Sequence, residues 1–134
     1  GQTGLRSLTV LENVLAPAGM YGKASEKERR ARELLDLVGI GDLAEVYANE
    51  LSGGELRRMA IARALINAPE IILADEPTGD LDDEATELVL KLLRGCADRG
   101  ASVLMITHEK EALQYADRIY RMEKGVLTPC SATN

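Results

Sequence analysis

Residues 71–76 read IILADE and decide the fold of this chain. Four apolar residues in a row predict a buried strand of a parallel sheet, because helices cover both faces of such strands. The strand ends in Asp75 and Glu76, at the edge where open α/β sheets bind their ligands. A second stretch, LSGGE at residues 51–55, comes before this strand and predicts the start of a helix.

The segments after this strand continue an α/β pattern. Residues 83–98 carry apolar positions with helical spacing, and ASVLMI at residues 101–106 predicts a second buried strand. A strand, a crossover helix and a strand form a right-handed unit, so the sheet is predicted to be parallel here. Residues 109–116 predict a short helix, and residues 118–122 and 126–128 predict an edge hairpin.

Capping boxes of the form Ser/Thr-x-x-Glu predict the starts of three helices, at Thr9, Ser25 and Ser52. The corresponding helices are predicted over residues 8–15, 25–38 and 53–67. The middle helix has one apolar stripe, at Ala31, Leu34, Leu35 and Val38. Gly39 suits the position after its end, and residues 42–47 predict another short helical piece.

Composition limits the classes of function. Hydrophobic residues make up 46% of the 134 residues, which is ordinary for a globular domain. The net charge of −6 argues against a nucleic-acid partner held by bulk positive charge. No apolar run approaches the roughly 20 residues that cross a bilayer, so a membrane role is expected to come through a partner. Cys96 and Cys130 lack metal-ligand spacing and are interpreted as reduced filler residues.

Asp75 and Glu76 are candidates for phosphate chemistry. A carboxylate at a strand end can hold Mg²⁺, and a second carboxylate can orient and deprotonate an attacking water. The simpler alternative is that either acid only caps the next turn. The segment PTGDLD at residues 77–82, with a helix beginning after it, argues against that alternative. Asp82 can be the N-cap of this helix and still belong to a site.

Ser52, Gly53 and Gly54 are candidates for contact with a second phosphate group. Glycines let the backbone approach a phosphate, and a helix start offers free N–H groups and a positive dipole end. The alternative is a plain capping box with glycines in the first turn. Consecutive glycines weaken a helix, and a cap alone does not explain them.

His108 is the only histidine and directly follows the second strand. The order of the strands places it at the same sheet edge as Asp75 and Glu76, where it could bond a terminal phosphate or the attacking water. The alternative is a loop or capping residue. These motifs together indicate nucleotide hydrolysis, although no GxxxxGK[ST] phosphate loop is present; PAGMYGKA at residues 17–24 has neither the first glycine nor the final hydroxyl.

The motifs resemble those of the ATP-binding-cassette (ABC) ATPase family over almost the whole chain. LSGGE at residues 51–55 is similar to the family's signature motif, with Glu55 where glutamine is more usual. The strand ending in Asp75 resembles Walker B, and Glu76 matches the catalytic base. Residues 73–82 resemble the subgroup for lipoprotein release and macrolide or lipid export.

The resemblance extends to three further sites and implies a set of site residues. GDLD at residues 79–82 resembles the D-loop, His108 the switch histidine and Gln2 the Q-loop glutamine. The implied catalytic residues are Glu76 and His108, with Mg²⁺ held by Asp75 and Gln2. The implied ATP-binding residues are Ser52, Gly53, Gly54, Glu55, Asp82 and Gln2.

The resemblance implies an α/β fold of the P-loop NTPase type, with a parallel sheet, flanking helices and a helical subdomain. Residues 1–50 would form the Q-loop region and helical subdomain, and residues 51–134 the signature helix and the carboxyl-terminal part of the ATPase core. Walker A and its strand would lie before Gly1, so the amino-terminal part of the nucleotide-binding fold is expected to be missing. We therefore expect the chain alone to be inactive and to leave apolar sheet surface exposed.

The implied partners are a second ABC ATPase subunit and transmembrane permease subunits, which would place the protein on the cytoplasmic face of the cell membrane. Signature residues of one subunit would complete the ATP site of the other. One alternative is a non-catalytic module that binds another cassette or a membrane protein. A non-transport cassette acting in DNA repair or translation is disfavoured by the acidic balance and the absence of basic tracts.

Overall fold

The computed structural model describes residues 8–19, 22–79 and 81–130, and Gln2 and Asp80 lie outside these ranges. Its helices and strands are α1 Val10–Leu15, α2 Ala24–Leu37, α3 Gly53–Leu65, β1 Ile71–Asp75, α4 Asp83–Asp98, β2 Ser102–Ile106, β3 Tyr120–Glu123 and β4 Val126–Pro129. Short 3-10 helices cover Ala16–Ala18, Gly41–Leu43, Ala48–Glu50 and Lys110–Tyr115. No helix in the described part of the chain has both the length and the apolarity needed to span a bilayer.

Strands β1 and β2 form the predicted parallel pair, with α4 as the crossover between them. Ile71 pairs with Ser102 and Asp75 pairs with Ile106, so both strands end at the same edge. Ile72 is buried against the helices. The strands are not buried on both faces as their apolar runs predict, and the expected exposure of apolar sheet surface is observed. Ile71, Leu73, Leu104 and Ile106 share a face that no described element covers, and Leu73 is 75% exposed.

Helices α1, α2 and α3 pack around a common aliphatic core that also includes residues from β1 and α4. The predicted stripe of α2 is buried, and Gly39 follows its end with a φ of +82°. The capping boxes at Thr9 and Ser52 are both formed. The prediction of a capping box at Ser25 is wrong. Helix α2 begins at Ala24 with Lys23 as its N-cap, so Ser25 lies inside the first turn. No side chain caps this helix.

The carboxyl-terminal segments follow the prediction with small changes. The helix expected over residues 109–116 is a 3-10 helix, Lys110–Tyr115. Arg94 on α4 stabilises the end of this 3-10 helix, because one of its guanidinium nitrogens donates to the carbonyl of Tyr115 at 2.9 Å. The side-chain bonds of Arg94 to Asp98 and Asp117 raise its pKa. Strands β3 and β4 form the predicted hairpin, whose two turn residues have positive φ.

Candidate functional site

The carboxyl ends of β1 and β2 bring an acid and a histidine together. The imidazole Nε2 of His108 lies 3.4 Å from Oε1 of Glu76. The His108 side chain is 97% exposed, whereas that of Glu76 is 34% exposed. The parallel register produces this arrangement, because Glu76 directly follows β1 and His108 lies shortly after β2. The structure therefore juxtaposes these side chains at one open edge, as the strand order predicts.

The backbone of Glu76 has an unusual conformation. Its φ is +49°, in the left-handed region that an L-residue other than glycine seldom adopts. Its N–H donates to the carbonyl of Ile106 at 2.7 Å. Its carbonyl accepts two hydrogen bonds, from Nη1 of Arg57 at 2.7 Å and from the N–H of Gly79 at 3.1 Å. Strained backbone of this kind persists only where neighbours hold it, and it is frequent at functional sites.

The turn after Glu76 is tightly packed. Pro77 and Thr78 are buried, and Thr78 is only 2% exposed. The hydroxyl of Thr78 has no hydrogen-bond partner within the described residues. The turn leads into α4, whose N-cap is Asp82: its Oδ1 accepts from the N–H of Ala85 at 2.8 Å. Asp82 thus has the capping role that the sequence predicts.

At the start of α3, Ser52 is the N-cap and forms a complete capping box with Glu55. Its Oγ accepts from the N–H of Glu55 at 3.2 Å, and Oε1 of Glu55 accepts from the N–H of Ser52 at 2.9 Å. The hydroxyl proton of Ser52 stays available for donation, because this bond uses only its oxygen as an acceptor. Ser52 and Gly53 are exposed, and a Cβ at Gly53 would meet no atom within 4 Å. Packing within the chain therefore does not explain the glycine.

Asp75 presents its carboxylate at the exposed end of β1. In the described residues, no group of three or more His, Cys, Asp or Glu side chains could hold a metal ion. A Mg²⁺ ion needs only one or two protein carboxylates when substrate phosphates and water complete its shell, so Asp75 stays a candidate ligand. Gln2, the other predicted metal ligand, lies outside the described residues.

Arg57 also belongs to this region, although no motif in the sequence marks it. Arg57 lies on α3, yet its guanidinium contacts the backbone of the turn after β1. The helix also carries Arg58 and Arg63, and spacing alone does not distinguish these cations. Only the packing of α3 beside the end of β1 shows that Arg57, of these three arginines, is hydrogen-bonded to Glu76.

Comparison with known proteins gives matches along most of the chain. The family described as "ABC transporter" matches residues 2–79. An uncharacterised ABC transporter ATP-binding protein of Methanocaldococcus jannaschii is 43% identical over 122 residues, which cover 90% of this chain and 54% of that protein. The macrolide export ATP-binding/permease protein MacB of Aggregatibacter actinomycetemcomitans is 45% identical over 122 residues, covering 90% of this chain and 19% of MacB.

Solved structures agree with these relatives. A dimeric bacterial ABC transporter cassette has a TM-score of 0.80 at 38% identity, over 90% of this chain and 54% of the cassette chain. A dimeric post-hydrolysis cassette bound to ADP and phosphate has a TM-score of 0.80 at 36% identity. The chain thus spans about half the length of these cassettes, and the predicted P-loop NTPase fold class is confirmed. Since the family match covers more than half of the chain, the protein belongs to the ABC transporter family.

Proposed function

We propose that this chain carries the catalytic carboxylate of one ATP site and the signature segment of another, in an ATP-hydrolysing cassette that drives transport. The observation that carries the proposal is the contact of Glu76 with His108 at the open edge of the sheet. Family membership supports ATP as the substrate. The ADP and phosphate in the post-hydrolysis cassette agree with this choice.

In the proposed mechanism, the carboxylate of Glu76 orients a water molecule and accepts its proton as the water attacks the terminal phosphate of ATP. The bond between this phosphorus and the bridging oxygen breaks, and ADP and phosphate leave. His108 donates a hydrogen bond from its exposed imidazole to that phosphate or to the water. Asp75 would hold Mg²⁺, which would neutralise charge on the phosphates. The partial burial of Glu76 and the bonds to its backbone keep the base in one orientation.

The start of α3 would serve a different nucleotide. In the capping box, the N–H of Glu55 is hydrogen-bonded to Ser52. The N–H groups of Gly53 and Gly54 lie in the first turn, where the helix itself offers them no carbonyl acceptor. These amides, the positive end of the helix and the Ser52 hydroxyl suit the terminal phosphate of an ATP held by a second cassette. The dimeric cassette structures support this arrangement. Asp82 would line the same dimer interface from the turn before α4.

The remaining partners follow from the relatives. MacB combines, by its description, an ATP-binding part and a permease and exports macrolides. We infer that permease segments are the membrane partner here too, so the cassette works at the cytoplasmic face of the cell membrane. The 134-residue chain by itself is proposed to be inactive, since it contains no GxxxxGK[ST] phosphate loop.

The decisive experiment compares Glu76→Gln with Glu70→Gln in the complete gene product that carries this sequence. Glu70 lies at the opposite end of β1 and makes a matched control. We expect Glu76→Gln to abolish steady-state ATP hydrolysis while ATP binding and ATP-dependent dimerisation persist. The control should keep wild-type turnover. Unchanged hydrolysis in Glu76→Gln would exclude the proposed base.

Hydrolysis by the complete gene product tests the alternative of a non-catalytic module. Under both hypotheses, residues 1–134 alone do not hydrolyse ATP and, mixed with a complete cassette, bind only in the presence of ATP. ATP-dependent binding by a complete gene product that never hydrolyses ATP would favour the module instead.

A further inference from the structure

We propose that Arg57 is a positioning residue for the catalytic base, an inference that rests on the proposed role of Glu76. The Nη1 atom of Arg57 donates to the main-chain carbonyl of Glu76 at 2.7 Å. The guanidinium therefore acts on the backbone from which the base projects.

The conformation of Glu76 explains why such a contact is needed. A φ of +49° is unfavourable for glutamate, and relaxation of this backbone would move the side chain. The bond to Ile106 holds the N–H side of the residue, and Arg57 holds the carbonyl side together with the amide of Gly79. The Arg57 bond is charge-assisted and hence stronger than a neutral one. Its loss leaves only the Gly79 amide on that carbonyl among the described bonds.

The catalytic consequence comes from geometry. Proton transfer requires the carboxylate to lie within hydrogen-bond reach of the attacking water. A displacement of about 1 Å can reduce turnover by about 100-fold. A change of φ at Glu76 would also separate Oε1 from the imidazole of His108, which lies 3.4 Å away. Arg57 is thus expected to influence turnover without touching the nucleotide.

Arg57 also joins the two half-sites within one rigid element. Helix α3 begins next to Ser52, whose hydroxyl is proposed to meet the ATP of a second cassette. Arg57 follows on the same helix, at a rise of about 1.5 Å per residue. One helix therefore carries the contact for one nucleotide and the support of the base for the other.

The test uses Arg57→Met and Arg57→Lys in the complete gene product, with Arg63→Met as the matched control. Arg63 is exposed on the same helix, so its replacement makes the same change of charge. We expect Arg57→Met to lower kcat about 10- to 100-fold while the Kd for ATP and the Tm stay near those of the control. Arg57→Lys should recover part of the loss, because its ammonium keeps a donor.

Two results would overturn the proposal: a kcat for Arg57→Met equal to that of Arg63→Met, or a loss matched by equally weakened ATP binding and a lowered Tm. If Arg57→Met does not fold, the Arg57→Lys variant tests the positioning role instead. A folded lysine variant with reduced kcat at unchanged ATP affinity supports positioning, and one whose ATP affinity and Tm fall together with its kcat contradicts it. Failure of the proposed function is separate, since it would appear as wild-type hydrolysis in Glu76→Gln.

Discussion

The imidazole of His108 meets the carboxylate of Glu76, with Nε2 and Oε1 3.4 Å apart, although the two residues follow different strands. The pair exists because β1 and β2 run parallel and end together. The histidine side chain is almost fully exposed and is therefore accessible to a substrate. The glutamate side chain is partly buried, which restricts its orientation.

Replacement of His108 by alanine should lower ATP turnover without destabilising the fold. The side chain is 97% exposed, so its removal should change the free energy of unfolding by less than about 0.5 kcal/mol. Turnover in the complete gene product should fall by about 100-fold, as for the loss of one hydrogen-bond donor to a developing negative charge. Steady-state kinetics and thermal unfolding measure both quantities. Wild-type turnover in the variant would count against a role for the histidine.

Ser52→Asp should separate capping from phosphate contact. Aspartate is as good an N-cap as serine, so the Tm should stay near that of the wild type. Its negative charge would repel a phosphate at the start of α3, and ATP-dependent dimerisation should be lost. Thr9→Asp is the matched control, because Thr9 forms the same capping box on α1. Analytical ultracentrifugation with and without ATP distinguishes the variants; equal dimerisation would contradict the signature role.

Gly53→Ala should stabilise the helix and weaken the proposed nucleotide contact. A Cβ at this position meets no atom of the chain within 4 Å, and alanine favours helix by about 0.5–1 kcal/mol over glycine. The same methyl group would separate the backbone from a phosphate of a second cassette. Gly95→Ala on α4 provides the control for helix stability away from the site. A rise in Tm with unchanged ATP-dependent dimerisation would show that no close approach occurs at Gly53.

Thr78→Val should stabilise the protein. The buried hydroxyl has no partner among the residues described, and an unsatisfied buried polar group costs about 1–3 kcal/mol. Thr9→Val is the matched control: the Thr9 hydroxyl accepts from the N–H of Glu12 at 3.1 Å, so its loss should destabilise. Denaturant unfolding gives both free energies. Destabilisation of Thr78→Val would mean that the hydroxyl has a partner after all.

The double substitution Leu73→Lys and Leu104→Lys should reduce self-association of the 134-residue chain. These side chains are 75% and 60% exposed on the open face of the sheet. Apolar surface of this kind promotes association, and charges on a sheet face oppose it. Light scattering and dye binding should both decrease, whereas Leu37→Lys on α2 should leave them unchanged. If the double variant associates as strongly as the wild type, this face is not responsible.

Much of the fold was predictable because its signals are local. The apolar run before Asp75 and the helical spacing after Asp82 each describe one element and its neighbours. Ser25 shows the limit of such signals. Its capping box matches the pattern, but α2 begins at Ala24 with Lys23 as N-cap, two residues before Ser25, so the box cannot form. The expected burial of both sheet faces failed because coverage of a face depends on distant segments.

The family, the parallel strands, and the acids and histidine at the strand ends could be predicted from residue type and spacing. The packing of α3 beside the turn after β1, which brings Arg57 to the carbonyl of Glu76, could not be predicted in this way. The same holds for the left-handed backbone of Glu76. The reason is physical: such contacts join segments far apart in the chain, and packing among several elements selects them.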